Sequence, residues 1–342
     1  MKHRHLLTAL LLSGCAATPK PQAMVSPLPT ASVVPFAQTD AVASLQDAAD
    51  DPAIWHNAAD PAASLIVATD KKAGLNVYGL DGKLRSNLAA GRVNNVDLRE
   101  TPAGVIVAAS DRNTIGDSRL ALFRLDTRTA TLTPLARVPV ATAEAYGLCM
   151  YQAKNGLYAF VVGKDGAIIQ LRIAADGSGA ETVRTMKLAT QSEGCVADDR
   201  TGTLFVGEED VGVWRFGAEP GDPVTPTSVA KANGKELIAD VEGVAIAAEG
   251  ADGGYLVVSS QGDSAYALWR LPDLGYAGRF RIAEGSGIGG TSETDGIEVS
   301  SASFGPGLEG GLMVVQDGDN APQAQNFKLV RWAEVKTALG LE

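Results

Sequence analysis

A sixfold repeat constrains this chain more than any other feature of its sequence. Six segments start with a polar residue, usually followed by Gly or Pro, and continue as an apolar run. The lead residues are separated by 44, 51, 47, 49 and 53 residues, and they are Asp51, Asn95, Tyr146, Glu193, Glu242 and Asp295. A regular period of this size is the sequence signature of a repeat architecture. We therefore expect six similar structural units.

A second pattern follows each lead segment, as in residues 104–125 and 157–173, where two apolar runs flank a polar tip. Val, Ile, Leu and Tyr are typical of strands, and Gly and Asp are typical of the turns between them. Three strands per unit, with room for a fourth, predict an all-β fold, a six-bladed β-propeller with four-stranded antiparallel blades. Two β-sandwiches are the alternative, although sandwiches would not repeat the same start six times. Only residues 331–341 have a helical pattern.

The N-terminus has the pattern of an export signal. Lys2 and Arg4 precede an apolar stretch over residues 6–12, which is too short to span a bilayer. The end of this segment resembles a bacterial lipobox, which implies lipid attachment at Cys15; an ordinary secretory signal is the alternative. We interpret residues 1–15 as a lipoprotein signal peptide, 16–46 as a flexible linker rich in Pro, Ala, Ser and Thr, and 47–342 as the propeller. We expect an exported protein, either a cell-envelope lipoprotein or secreted, that meets the membrane only through its lipid.

Charge and cysteine content limit the partners. The chain has 29 Lys and Arg against 40 Asp and Glu, a net charge of −11, which argues against a nucleic-acid partner. We expect a monomer.

Two cysteines outside the signal, Cys149 and Cys195, are too few for a disulfide framework, so we expect both to pack as buried apolar side chains.

Blade geometry places the polar residues on one face. Neighbouring strands of a blade run antiparallel, so strand 2 ends at the rim where strand 1 begins. The lead residues of strand 1 and the polar turn residues after strand 2 therefore lie at the same rim. Many carboxylates near one axis repel unless cations join them, and several oxygen ligands favour Ca²⁺. His56 is the only histidine outside the signal, which argues against a histidine-built zinc site. Basic tips beside the carboxylates, at Lys71, Lys72, Arg112 and Lys164, favour a polyphosphorylated small molecule as the ligand. A hydrolase built this way would use metal-activated water.

These motifs resemble those of the β-propeller phytases over residues 47 to about 335. The matching segments include 47–55, Asp70-Lys71-Lys72-Ala73-Gly74-Leu75, Asn94-Asn95-Val96-Asp97, Ser192-Glu193-Gly194, Asp240-Val241-Glu242-Gly243, Thr294-Asp295-Gly296-Ile297 and Gln325-Asn326-Phe327-Lys328. The resemblance implies a phosphoric monoester hydrolase of the 3-phytase type that acts on calcium phytate, the calcium complex of myo-inositol hexakisphosphate, with several Ca²⁺ ions as cofactors.

The resemblance also implies roles for individual residues. The active-site calcium ligands would be Asp50, Tyr146, Glu193, Glu209, Asp240, Glu242 and Asp295. Of these, we assign Glu193, Asp240, Glu242 and Tyr146 as catalytic. The substrate phosphate would bind Lys71, Arg112 and Lys164, and Asp51, Asp165 and Gln261 would support the rim.

One loop departs from the family pattern. Gly287 and Gly289 stand where the family often carries acidic residues, so a structural calcium site that would also use Asp319 and Asn320 is expected to be weak or missing.

Two other functions remain open. The first is a non-catalytic propeller that binds phosphorylated ligands or partner proteins. The second is a metal-dependent lactonase, against which the basic rim residues count.

Overall fold

The structure of the protein, a computed structural model, describes residues 24–341, so the predicted signal peptide and Cys15 lie outside the described residues. Two short strands come first, β1 (Ala31–Val33) and β2 (Ala37–Gln38). The first three blades contain β3 (Ala49–Trp55), β4 (Leu65–Asp70), β5 (Gly74–Gly79) and β6 (Leu84–Leu88); β7 (Val93–Thr101), β8 (Gly104–Asp111), β9 (Arg119–Asp126) and β10 (Thr131–Pro139); and β11 (Ala145–Ala153), β12 (Gly156–Gly163), β13 (Ala167–Ile173) and β14 (Ala180–Lys187).

The last three blades contain β15 (Ser192–Asp198), β16 (Thr203–Glu208), β17 (Gly212–Gly217) and β18 (Thr227–Lys231); β19 (Val241–Glu249), β20 (Gly253–Ser260), β21 (Ala265–Leu271) and β22 (Gly275–Ile282); and β23 (Ile297–Ser300), β24 (Leu312–Asp317) and β25 (Asn326–Arg331). The neighbouring strands within these sets pair antiparallel. The predicted six-bladed propeller is confirmed.

The core lies between the blades. Six clusters of buried apolar side chains each join two neighbouring sheets. Central strands such as β8 are buried on both faces, so their sequence reads as a continuous apolar run. The outermost strand β6 is largely exposed, which explains why the fourth strand of each unit gave a weak sequence signal.

The N-terminal strands complete two blades. β1 pairs parallel with β22 as a fifth strand of blade 5, and β2 pairs antiparallel with β25 as the fourth strand of blade 6. The predicted linker over residues 16–46 is therefore wrong in its end point, because part of it belongs to the propeller. Strands of three and two residues are too short to show an alternating pattern, and their stability comes from the sheet edge that they join.

The cysteine prediction also needs correction. Cys149 of β11 and Cys195 of β15 are both buried, as expected, but they form a disulfide, with Cα atoms 5.6 Å apart. Their separation of 46 residues is close to one repeat. The repeat thus places the two residues at matching heights on the inner strands of neighbouring blades.

The C-terminal tail forms α1 (Trp332–Leu339), in the stretch where the sequence predicted a helix. Trp332 and Val335 are fully buried in the cluster between blades 5 and 6, and Gly340 ends the helix in a left-handed conformation. Over residues 24–341, no helix combines the length and the apolar character needed to cross a membrane.

Candidate metal and phosphate site

The inner strands of five blades begin with the same irregularity. The register between β3 and β4 shifts by one residue between Ala49 and Pro52, and β7, β11, β15 and β19 shift at the corresponding place. A β-bulge bends its strand and changes the direction of adjacent side chains. The residues within these bulges include five polar side chains at the predicted rim: Asp50, Asn94, Tyr146, Glu193 and Glu242.

The glycine that follows the lead residue has a steric function. A β-carbon on Gly147 would fall 1.9 Å from the carbonyl oxygen of Glu193, and one on Gly243 would fall 2.6 Å from that of Asp295. Only a residue without a side chain permits this approach. The polar–Gly motif therefore lets neighbouring inner strands converge, which brings their lead side chains together.

A cavity of about 920 Å³ opens at this rim. Nine predicted site residues line it: Lys71, Tyr146, Glu209, Asp240, Glu242, Gln261, Asp295, Asp319 and Asn320. Asp50 and Glu193 are almost fully buried, and the Asn94 amide joins them, donating to Asp50 Oδ2 at 2.9 Å and to Glu193 Oε1 at 2.6 Å. The structure thus brings the predicted acidic residues to one place.

Lys71 lies in the middle of the acidic residues. Its Nζ is 2.8 Å from Asp50 Oδ1, 2.9 Å from Asp295 Oδ2 and 2.6 Å from Asp47 Oδ1. Burial alone would lower the pKa of Lys71, but the Asp50 and Asp295 carboxylates raise it well above its usual value. Lys71 is therefore a permanent positive charge in the pocket.

Three glutamates form a separate group beside Lys71. Carboxylate oxygens of Glu193, Glu209 and Glu242 all lie within 4.8 Å of one another. Calcium binds oxygen at 2.3–2.6 Å, so ligands on opposite sides of one ion are separated by about 5 Å. Glu242 Oε2 is buried and has no hydrogen-bond partner among the described residues. Burial, reinforced by neighbouring carboxylates, raises the pKa of Glu193 and of Glu242 well above the usual range. This oxygen-only donor set, with one orphaned oxygen, fits a hard divalent cation.

The other two predicted phosphate-binding cations lie at Tyr146. Lys164 Nζ is 4.4 Å from the centre of the Tyr146 ring, and the guanidinium carbon of Arg112 is 5.6 Å from it. Glu144 positions both cations, at 3.0 Å from Arg112 Nη1 and 3.8 Å from Lys164 Nζ. Burial and the Glu193 carboxylate raise the pKa of the Tyr146 hydroxyl, so this ring stays neutral.

The three predicted supporting residues occupy different places. Gln261 Nε2 donates to Asp295 Oδ1 at 2.7 Å, so it contacts a candidate ligand directly. Asp51 is buried below the rim, where its Oδ2 accepts from the Val96 N–H at 3.0 Å. Asp165 pairs instead with Lys187 and Thr142 and is not among the residues that line the cavity. Arg112 and Lys164 are likewise absent from this lining, so the supporting role of Asp165 stays a prediction.

Asn320 lies beside a buried ammonium group. Lys328 Nζ is 3.1 Å from Asp317 Oδ2 and donates to Asn320 Oδ1 at 3.0 Å, to Gln38 Oε1 at 2.8 Å and to Asn326 Oδ1 at 2.9 Å. Asp319 is exposed, and Gly289 lines the adjoining cavity. The expected weakness of this structural calcium site stays a prediction.

A second set of polar side chains lines a small cavity between the inner strands. A cavity of about 40 Å³ is lined by residues from all six inner strands or the turns before them, including Asp97, Arg99 and Glu298. Arg99 pairs with Asp97 at 2.8 Å and with Asp199 at 2.8 Å. Burial, with a contribution from the Asp97 carboxylate, raises the pKa of Glu298 to about 8.

Sequence reasoning missed three residues that shape the site. Asp47 precedes the first lead segment and contacts Lys71; Asn94 adjoins the lead Asn95; and Glu144 precedes Tyr146 by two residues. Proximity in sequence to a lead residue was the available signal for all three. Asn94 and Glu144 have partners in other blades, which a single repeat does not reveal.

Comparison with known proteins identifies the family to which the chain belongs. The Phytase family model matches residues 3–342. The 3-phytase of Bacillus subtilis (strain 168) is 40% identical over 326 residues, covering 90% of this chain and 85% of that protein. Among solved structures, a chain of the mitotic checkpoint complex aligns with a TM-score of 0.51 at 12% identity, covering 95% of this chain and 99% of that chain, which shows likeness of fold alone. The chain therefore belongs to the phytase family, a family of phosphoric monoester hydrolases.

Proposed function

We propose that this protein is a calcium-dependent phytase that hydrolyses phosphate monoesters of myo-inositol hexakisphosphate. The observation that carries the proposal is the juxtaposition of the Glu193–Glu209–Glu242 group with Lys71 at one cavity. Arg112 and Lys164 lie against the ring of Tyr146, which lines the same cavity. The glutamates fit a hard cation, and the basic side chains suit phosphate. The family and the 3-phytase relative support the same substrate class.

The proposed calcium ligands are the seven oxygen donors of the rim, namely Asp50, Tyr146, Glu193, Glu209, Asp240, Glu242 and Asp295. Calcium bound there would neutralise the carboxylates, attract phosphate oxygens and activate a water molecule. In the hydrolysis, the water oxygen bonds to phosphorus while the phosphorus–oxygen bond to inositol breaks. The products are orthophosphate and an inositol with one more free hydroxyl group.

The chain's own residues orient the ester for this reaction. Lys71 is held by Asp50 and Asp295, so it presents a fixed charge to a phosphate oxygen. Arg112 and Lys164 flank the Tyr146 ring and carry two further charges. Three cations held by different blades favour a substrate with several phosphates over a simple monoester. Asn94 fixes the two buried carboxylates in place.

Phosphate release from calcium phytate near neutral pH tests the proposal. We expect release that stops with a calcium chelator and returns with added Ca²⁺. Glu242→Gln removes one charge from the glutamate group, and we expect about a 100-fold loss of activity. The exposed Glu181→Gln serves as the matched control and keeps wild-type activity. Release that is indifferent to chelation contradicts calcium dependence, and phytate binding without turnover favours the non-catalytic alternative.

We also propose that the protein is exported and carries a lipid at Cys15. The Cys149–Cys195 disulfide supports export, because disulfides persist in oxidising compartments such as the bacterial periplasm and cell surface. Mass spectrometry of the mature N-terminus tests this. A diacylated Cys15 is the expected result, and an unmodified N-terminus at another residue indicates an ordinary secretory signal.

A further inference from the structure

The inner strands of neighbouring blades are joined to one another by specific contacts. The Val96 N–H of β7 donates to Asp51 Oδ2 of β3 at 3.0 Å, and the Met150 N–H of β11 donates to Asp97 Oδ2 of β7 at 2.7 Å. Between blades 5 and 6, the Gly243 N–H of β19 donates to the Asp295 carbonyl at 2.7 Å. These ties are hydrogen bonds.

The tie between β11 and β15 is covalent. Cys149 and Cys195 join the two strands in their buried interior, and the Gln152 N–H donates to Asp199 Oδ1 at 2.9 Å at their lower end. At the upper end, Gly147 lies against the Glu193 carbonyl with no room for a β-carbon. The disulfide thus lies between two further points of contact along the same pair of strands.

The disulfide is close to two of the proposed calcium ligands. Cys149 follows Tyr146 by three residues and Cys195 follows Glu193 by two, which corresponds to about 10 Å and 7 Å along extended strands. Each ligand lies within a bulge, where the strand departs from regular pairing with its own blade. A bulged strand end is less restrained by its sheet, so a neighbouring crosslink has more influence on its position.

We propose that the Cys149–Cys195 disulfide is a positioning element of the calcium site, which holds β11 against β15 and thereby keeps Tyr146 and Glu193 at the spacing that one cation requires. This inference rests on the proposed function. It assigns the disulfide a role in cation affinity in addition to its role in stability. Neither cysteine contacts the substrate, and both act through the residues above them.

Calcium titration by calorimetry, without substrate, compares the wild-type protein with Cys149→Ala/Cys195→Ala. Because small displacements of ligand residues weaken a metal site, we expect the half-saturating calcium concentration to rise about fivefold or more in the double variant. Excess calcium should restore kcat to near the wild-type value, since the ligands themselves remain.

Gln170→Leu is the matched control. Gln170 Nε2 donates to the Ala218 carbonyl at 2.7 Å and ties the same two blades together through β13, away from the rim. We expect this variant to melt at a lower temperature with unchanged calcium affinity. If the double variant does not fold, wild-type protein reduced until two thiols titrate provides the same comparison.

Two results overturn the inference. A folded, disulfide-free protein with wild-type calcium affinity shows that the bond contributes only to stability. Equal loss of affinity in Gln170→Leu shows that general loosening of the blades explains the effect. A wild-type protein that binds no calcium is a different result, because it overturns the proposed calcium dependence itself.

Discussion

Gly194 lies so close to Glu242 of the next blade that a β-carbon on Gly194 would fall 2.1 Å from the Glu242 carbonyl oxygen. Both residues belong to inner-strand bulges, and Glu242 is a proposed calcium ligand. The fold therefore requires a glycine at position 194, where two strands that carry proposed calcium ligands meet.

The first prediction concerns this contact. Gly194→Ala forces β15 and β19 apart, and we expect a loss of about 2 kcal/mol or more in the free energy of unfolding, the usual scale for an overpacked buried site. Calcium affinity should fall as well, because Glu193 and Glu242 move apart. Urea unfolding and calcium titration measure the two effects. Gly179→Ala, which has open space around the new β-carbon, is the control and should change both by little.

The second prediction concerns the buried charge of Lys71. Lys71→Met removes the cation that contacts Asp47, Asp50 and Asp295, and we expect at least about a 100-fold loss in kcat/KM for phytate. Steady-state phosphate release at saturating calcium measures it. The exposed Lys83→Met breaks only a surface pair with Asp40 and should be neutral. Wild-type activity in the Lys71→Met variant would show that Lys71 does not bind the substrate phosphate.

The third prediction uses the pKa of Glu298. This pKa is raised from 4.5 to about 8 in the folded protein by burial first and by the Asp97 carboxylate second. Between these two values the unfolded chain releases the proton while the folded protein keeps it, so this group's contribution to stability falls as the pH rises. We expect Glu298→Gln to become progressively more stable than the wild type from about pH 4.5 to pH 8.

Urea unfolding in chelating buffer over this pH range measures the effect. The exposed Glu181→Gln variant should parallel the wild-type curve, and it therefore isolates the contribution of the Glu298 carboxyl. A constant difference between Glu298→Gln and the wild type across the range would show that Glu298 does not retain its proton on folding.

The fourth prediction concerns the ammonium of Lys328. Lys328→Met leaves the buried Asp317 carboxylate without its cation, and we expect about 3–5 kcal/mol of destabilisation. Lys336→Met breaks a partly exposed pair with Glu249 and should cost about 1 kcal/mol or less. We expect calcium and chelator to leave the loss in Lys328→Met unchanged. Recovery of stability with calcium would show that an ion can replace the ammonium at this loop.

The repeat and the rim geometry predicted the fold and most of the pocket. Glu193, Glu242 and Asp295 were identified because each occupies the same place in its repeat, and blade topology brings such places together. Lys71 was identified because strand 2 ends at the same rim. The period of the sequence thus carries three-dimensional information wherever a residue belongs to the shared unit.

The sequence was less informative where a residue's role depends on a contact between strands. Asp165 adjoins Lys164 at a hairpin tip, and its pairing with Lys187 and Thr142 is visible only in the structure. The bond between Cys149 and Cys195 depends on the side-chain directions of two separate strands. Neither outcome follows from spacing alone, because a change of one position along a strand reverses the face on which a side chain lies.

The pairing of β2 with β25 has a consequence for biosynthesis. The outermost strand of the last blade comes from residues near the start of the described chain, and β1 likewise joins the fifth blade. Since residues are made from the N-terminus onward, the circle of blades has no way to close until about residue 331 has been synthesised. A partly synthesised chain therefore remains an open arc of blades. The residues of the first and last blades come together at the site only after both ends of this ring have been made.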